Sequence, residues 1–517
     1  MELKKIIHTL RHLKASQIVH QVKDRLYTPR LQMLSSPKVE KTPILAEPLS
    51  KPRCYEGNGW FTFINLRDQF TGWEDRRNGN LWAFNLNYMD WLNQDGLPSS
   101  DATEWTDRYI AGMQDNVTGN DPYPTALRCM NWMRLFSLHP EIKKAGWDDA
   151  LYSQCRLLEK RLEYKLLANH LLEELFALFQ AAIYFRDERL YATASKGLSR
   201  ELDEQLLSDG AHYEQSPMYH CILLDRLLDC YNYGIHNPVF AGQSAFVSML
   251  EKKARLMLGH LSSITYRDGS IPLMNDGAYH IGPSSAELFA YARRLGIADW
   301  PQLHLGASGF RKLDNSRMEL IATVGAITAT YQPGHSHADF LSYELRIDGR
   351  PFIVDTGTST YDKGPRRNYE RSTRAHNTVT VDGQDSCEVW SGFRVGRRPH
   401  VEITQDTPSE LCAFHDGFGK SHKHSRRFIL SPGMLTVEDS LGGTSPGVSH
   451  IHFSEGTEVN IIDGNTIDTT YAVLHLEGAS EVHLKRETYS TEYNINKQCQ
   501  VAEVEFIQSL TYIIELK

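Results

Sequence analysis

The chain runs to 517 residues, 41% hydrophobic and 23% charged, which excludes wholesale disorder, a collagen-like repeat or a coiled-coil rod and implies more than one packed core. Lysines and arginines number 55 against 64 aspartates and glutamates, a net charge of −9. No nucleic-acid partner is expected, because that role needs a basic face, while a local basic cleft for an anionic substrate stays open.

The opening Met1-Glu2-Leu3-Lys4-Lys5-Ile6-Ile7-His8 begins like the charged region of a signal peptide. Arg11, His12 and Lys14 then interrupt the place of its apolar core. No window approaches the roughly 18 apolar residues that span a bilayer, so no integral membrane segment is expected. Eight scattered cysteines without a CxxC pair suit free thiols in a reducing compartment. The cytoplasm is the expected compartment, with the periplasm as the alternative; oligomeric state is unspecified.

In chain order, the first 35 residues read as basic helix, either a solvated docking helix or one lying on a membrane surface. Residues 36–55 carry Pro37, Pro43, Pro48 and Pro52 and read as a wrapping arm. Segments 81–93, 124–138, 148–160, 165–186, 190–207, 216–233, 243–261 and 284–296 space apolar residues at helical intervals, as antiparallel hairpins of helices would. Near residue 307 the texture changes to short β-branched or alternating runs at 320–331, 341–347, 351–354, 377–381, 401–404, 427–430, 434–438 and 511–516. Asp348-Gly349, Asp382-Gly383, Gly442-Gly443 and Asp463-Gly464 punctuate them as hairpin turns. Helices followed by strands predict an α+β multidomain chain: an N-terminal arm over 1–55, a helical domain over 56–306 and an antiparallel β-sandwich over 307–517.

Three clusters could carry chemistry. Gly334-His335-Ser336-His337-Ala338-Asp339 leads to Asp355 and to His376-Asn377. In a strand the two histidines would share a face, and two imidazoles with a carboxylate suit Zn²⁺; separate hydrogen-bonded histidines are the competing reading. In the helical half, Asn169-His170 sits one turn before Glu173, and Ser216-Pro217-Met218-Tyr219-His220 enters a helix with Ser216 as a candidate cap and Pro217 in its first turn. Lys363, Arg366, Arg367, Arg371 and Arg374 against Glu370 form a +4 run that is either an anion-binding loop or a solvated face.

These residues resemble a family. The Gly334–Asp339 run, Val354-Asp355-Thr356-Gly357 and Arg371-Ser372-Thr373-Arg374-Ala375-His376-Asn377-Thr378-Val379 look like the central signature of heparinase II/III-type polysaccharide lyases. Trp82–Tyr88, Tyr123-Pro124 with Arg128 and Trp132, Asn169-His170 and Ser216–His220 are similar to its helical-domain motifs, in the same order over roughly residues 60–450. The opening Thr9–Lys14 also resembles members found in bacterial exopolysaccharide gene clusters, although no secretion signal of the kind usual in scavenging members is recognisable.

The resemblance implies an incomplete (α/α) toroid followed by antiparallel β-sheet, and β-elimination on a uronic-acid polysaccharide. It implies Asn169 as the group facing the substrate carboxylate, Tyr219 as acid to the leaving oxygen, and either Tyr219 or His335 as base toward C5. It implies structural Zn²⁺ on His337, Asp355 and His376. Tyr88, His170, Glu173, Arg367, Arg371 and Arg374 are candidates for binding an acidic polysaccharide, and the arginine loop is expected to lower the phenol of Tyr219 toward the range of a base. A glycoside hydrolase using Glu214 with Asp276 or Glu173, or a non-catalytic polysaccharide-binding protein, are the alternatives.

Overall fold

The computed structural model describes residues 2–517. Two short helices, Glu2–Leu10 and Ala15–Leu26, open the chain. An extended arm then runs along the helical domain, its amides held by side chains: Leu34 donates to Ser153 Oγ, Ser36 to Asp149 Oδ1 and Ala46 to Asn232 Oδ1. Prolines suit such an arm, because it needs no sheet or helix donor of its own.

The helical domain is built around Ala168–Phe185, in which every side chain except His170 is buried. A helix apolar on all sides must be enclosed, and this one packs against Pro122–Leu138, Glu188–Gln205 and Pro217–His236. Trp147–Lys160, Gln243–Ile264 and Ser285–Arg294 complete the ring. The helix starts follow local chemistry: Asp187 and Ser216 cap theirs, and Ser284 with Glu287 forms a capping box. In this half of the chain, the helix Ser99–Gly112 and a small three-stranded sheet over Tyr55–Gln69 lie outside the expectations above.

From Phe310 onward the chain forms an antiparallel sheet of 14 strands, with a separate two-stranded pair, Val389–Trp390 and Arg394–Val395, and a short helix, Pro365–Glu370, beside it. Asp348 and Gly349 both have positive φ, 50° and 75°, and close the hairpin between Tyr343–Ile347 and Arg350–Ile353 as a primed turn. The strand Ile495–Leu516 pairs with Pro446–Phe453 through its first half, with Met434–Leu441 through its second, and with Ala472–Glu492 along its length. Sharing that strand lets the sheet fold over itself as a sandwich. Tyr343 and Phe428, on strands that are not ladder neighbours, meet across the core with ring centroids 5.3 Å apart. No helix among the described residues is long and apolar enough to cross a membrane.

Candidate active site

A cavity of about 1060 Å³ opens where the helical ring meets the sheet, lined by Asn169, His170 and Tyr219 from the helices and by His335, Tyr361 and Phe393 from the segment after Phe310. The segments carrying Asn169 and Tyr219, and the buried one carrying Asp276 behind the cavity, follow strained backbone. Leu167 and Ala168, just before Asn169, have φ of 63° and 56°; Gln215, just before the cap of the Tyr219 helix, has 58°; Asn275, just before Asp276, has 58°. Non-glycine residues in the left-handed region persist where surroundings over-determine them, often at functional sites.

Tyr219 sits in the first turn of Pro217–His236, where Ser216 Oγ accepts its amide at 3.2 Å and donates to the Asp276 carbonyl at 2.6 Å. The cap therefore ties the tyrosine to the segment carrying Asp276. The Tyr219 ring lies against His335, centroids 3.9 Å apart, and its hydroxyl is 3.2 Å from that of Tyr361. Asn169 Nδ2 donates to Glu214 Oε2 at 2.8 Å and lies 3.4 Å from His335 Nε2.

His335 and His337 do share a partner side, but by a different route from strand alternation. Residues 334–341 form a loop with no strand, and both imidazoles bind one carboxylate: His335 Nδ1 reaches Asp276 Oδ2 at 2.8 Å and His337 Nε2 reaches Asp276 Oδ1 at 2.9 Å. These partners assign the tautomers. His335 carries its proton on Nδ1 and keeps the Nε2 lone pair beside Asn169; His337 keeps its lone pair on Nδ1. Burial alone would push Asp276 up, but Arg367, gripping it with two nitrogens, and the two imidazole donors outweigh that and hold its carboxyl well below the usual range. Sequence reasoning named Asp276 only as a hydrolase carboxylate. In the fold it is fully buried, lies outside the cavity lining and orients His335.

The arginine loop is corrected on two counts. Arg367 is buried and paired with Asp276, Arg371 is buried with its Nη2 donating to the Ser336 carbonyl at 2.9 Å, and Arg374 is exposed over the Tyr369 ring. None of the three lines the cavity; only Lys363 of that run does. Arg371, drawn down to about 9 by burial and the neighbouring Arg367, holds the histidine loop in place. Nor does the loop lower Tyr219. Burial pushes its phenol up, the charges of Asp276 and Glu214 add to that, and the Tyr361 hydrogen bond and Arg367 offset only part. Tyr219 therefore stays protonated at neutral pH.

The remaining substrate candidates do line the cavity. Tyr88 stands edge-on to Tyr123. His170 Nδ1 meets Glu163 Oε2 at 2.7 Å; burial would lower its pKa, but Glu163 outweighs burial and raises it, favouring the imidazolium. Glu173, pushed up to about 7 by burial, lies 3.3 Å from Arg226, a cavity cation that sequence reasoning missed. Arg226 lies mid-helix among leucines, where nothing local distinguishes it.

Of the expected metal ligands, His376 donates from Nδ1 to Asp355 Oδ2 at 2.8 Å, and Asp355 Oδ1 accepts the Gly357 amide. His376 Nε2 and His337 Nδ1 are buried with no partner, in rings 5.3 Å apart. Burial holds His337 down to about 3, the neutral form a metal requires. These donors are neighbours without forming a closed set. Among the described residues, the group of three metal-ligating side chains with donor atoms within 4.8 Å of one another is Glu481, His483 and Glu505, on the outer hairpin.

Residues 147–288 match the family Heparinase II/III N-terminus, and residues 298–511 match Heparinase II/III-like, C-terminal. A heparin-sulfate lyase of Pedobacter heparinus is 27% identical over 347 residues, 61% of this chain and 51% of that protein. One of Bacteroides stercoris is 21% identical over 439 residues, 76% of this chain and 62% of its own. The chain thus spans about half the length of the first of these curated relatives, and under two thirds of the second. Among solved structures, heparinase III superposes with a TM-score of 0.68 at 15% identity, covering 96% of this chain and 89% of its own. Heparan sulfate lyase HepC from Pedobacter heparinus gives 0.58 at 17%, covering 97% and 87%. At such identities the likeness is one of fold: a helical toroid followed by a β-sandwich.

Proposed function

The chain belongs to the heparinase II/III family, and on that premise we propose that it is a polysaccharide lyase cleaving a uronic-acid-containing polysaccharide by β-elimination. The observation that carries this reading is the convergence of Asn169, Tyr219 and His335 on one cavity, with His335 oriented by a buried carboxylate. Removing the proton at C5 builds negative charge beside the uronate carboxylate, so that carboxylate must first meet preorganised donors. The Asn169 amide and the His170 imidazolium supply them. His335 Nε2, whose lone pair is met only by the long 3.4 Å contact from Asn169 Nδ2, takes the C5 proton. Protonated Tyr219 gives its hydroxyl proton to O4 as the C4–O4 bond breaks and the C4–C5 double bond forms. A proton passing back from His335 to Tyr219 through solvent restores the site.

The lining favours a sparsely charged polymer over a densely sulfated one. Six lysines and arginines face seven aspartates and glutamates there, so positive charge is local to a carboxylate subsite. The aromatic faces of Tyr88, Tyr123, Tyr361, Tyr493 and Phe393 suit the apolar faces of sugar rings. A bacterial exopolysaccharide or capsule fits this balance better than heparin. The test is ultraviolet absorbance of a 4,5-unsaturated uronate during incubation with glycosaminoglycans, alginate and uronate-containing capsules. We expect absorbance to rise fastest on a carboxylate-only polymer; silence on all members, or a preference for the most sulfated, overturns the reading.

We also assign Zn²⁺ to His337 and His376, with Asp355, expected as the third ligand, instead orienting His376 through its Nδ1. The two unpartnered ring nitrogens support this, because the opposite nitrogen of each ring is already tied to a carboxylate, as metal-ligating histidines usually are. When bound, the ion would serve as a structural clamp beneath the loop that presents His335. His337→Ala should lower both zinc content, read by elemental analysis, and melting temperature; unchanged zinc content contradicts the assignment.

A further inference from the structure

The first two helices are turned inside out. Glu2–Leu10 carries Leu3, Ile6, Ile7 and Leu10 on one stripe, and that stripe faces solvent: Leu3 is 70% and Ile7 55% exposed. Its polar face docks instead. Thr9 is buried, donates to the Val395 carbonyl and accepts from Trp390 Nε1, while His8 pairs with Glu388 at 3.0 Å. Ala15–Leu26 repeats the pattern. Gln17 is buried and donates to the Lys165 and Leu166 carbonyls, whereas Ile18, Val19, Val22 and Leu26 point outward, Leu26 at 83% exposure. Of the 20 large hydrophobic side chains exposed among the described residues, nine lie between Leu3 and Tyr27. Such a concentration marks an interaction surface.

Charge identifies the occupant. Residues 2–30 hold seven lysines and arginines against two acids, on a chain of net charge −9. Lys4, Arg11, Lys23 and Arg25 are exposed around the apolar stripes, and none of them makes a salt bridge among the described residues. Apolar stripes flanked by cations suit insertion into an interface of anionic headgroups. A second copy would bring the same cations face to face and repel.

We propose that the two N-terminal helices dock the protein on an anionic lipid surface through Leu3, Ile6, Ile7, Leu10, Ile18, Val19, Val22 and Leu26. Leu13, Gln17 and Gln21 line the same cavity as Tyr219 and His335, so docking holds the mouth of the cleft close to the membrane plane, where a polymer emerging from or attached to that membrane is reached first.

The test is co-sedimentation of the full chain with vesicles of pure phosphatidylcholine and of phosphatidylcholine with one third phosphatidylglycerol, without polysaccharide, so its failure leaves the lyase reading untouched. We expect at least tenfold stronger partition onto the anionic vesicles, weakening with added salt. Ile7→Glu with Val19→Glu should abolish it, and Lys23→Glu with Arg25→Glu should reduce it at least threefold. All four positions are exposed, so unchanged melting curves are expected. Equal partition on both vesicles, or binding indifferent to both double variants, overturns the proposal. So does self-association that Ile7→Glu with Val19→Glu removes while vesicles go unbound, which would make the face an interface between copies.

Discussion

Tyr219→Phe is expected to lower the elimination rate by at least about 10²-fold, the usual contribution of a positioned acid, or about 2.7 kcal/mol in the barrier. The substitution leaves most of the surroundings intact. The ring keeps its place against His335, Ser216 keeps its cap on the backbone amide, and the one hydrogen bond lost is that to the Tyr361 hydroxyl. Stability should therefore change by no more than about 1 kcal/mol. Without a phenolic proton the leaving O4 departs as an alkoxide, so activated leaving groups should suffer less than sugar ones. Full turnover by a folded Tyr219→Phe protein would sink the assignment of the acid while leaving the enzyme class standing.

Asp276→Asn should damage both stability and rate, for separable reasons. The carboxylate is enclosed by Arg367, His335, His337 and Thr358. Removing its charge strands the buried Arg367 guanidinium, a class of change that costs about 3–5 kcal/mol. The rate should fall separately, by about 10²–10⁴-fold, because His335 loses the acceptor that sets its tautomer. A second variant separates the two. Asp276→Asn combined with Arg367→Met removes both buried charges, and replacing a whole buried pair is often close to neutral. Denaturant unfolding should then show most of the stability regained, while the rate stays low. Activity returning together with stability would reduce Asp276 to a purely structural role.

The two-part architecture was legible because helical apolar spacing and short punctuated strands are local signals. Ser99–Gly112 escaped notice because its sequence, SSDATEWTDRYIAG, is mostly polar and buries only Ala102, Trp105, Thr106 and Tyr109. The long strand Ala472–Glu492 escaped notice although Val482 and Leu484 alternate with Glu481, His483 and Lys485, because that alternation is short, its apolar side is only partly buried, and the charged residues around it read as loop. Asn169, Tyr219 and His335 could be singled out because they stand in compact motifs. Asp276 could not, since His335, His337 and Arg367 lie 59 to 91 positions away in the chain. The arginine run shows the opposite failure. Its charge looked like an exposed anion site, yet Arg367 and Arg371 point inward and hold the histidine loop by a carboxylate and a carbonyl.

Elimination is distinguished from hydrolysis by running the reaction briefly in water enriched in oxygen-18, reducing the new ends with borohydride at the quench so that their anomeric oxygen cannot exchange, and weighing the fragments by mass spectrometry. Elimination adds no water across the cut bond, so the account predicts fragments that carry no heavy oxygen and whose new non-reducing ends are lighter than a hydrolytic end by one water. One heavy oxygen incorporated per cut would make the enzyme a hydrolase and contradict the roles of Tyr219 as acid and His335 as base.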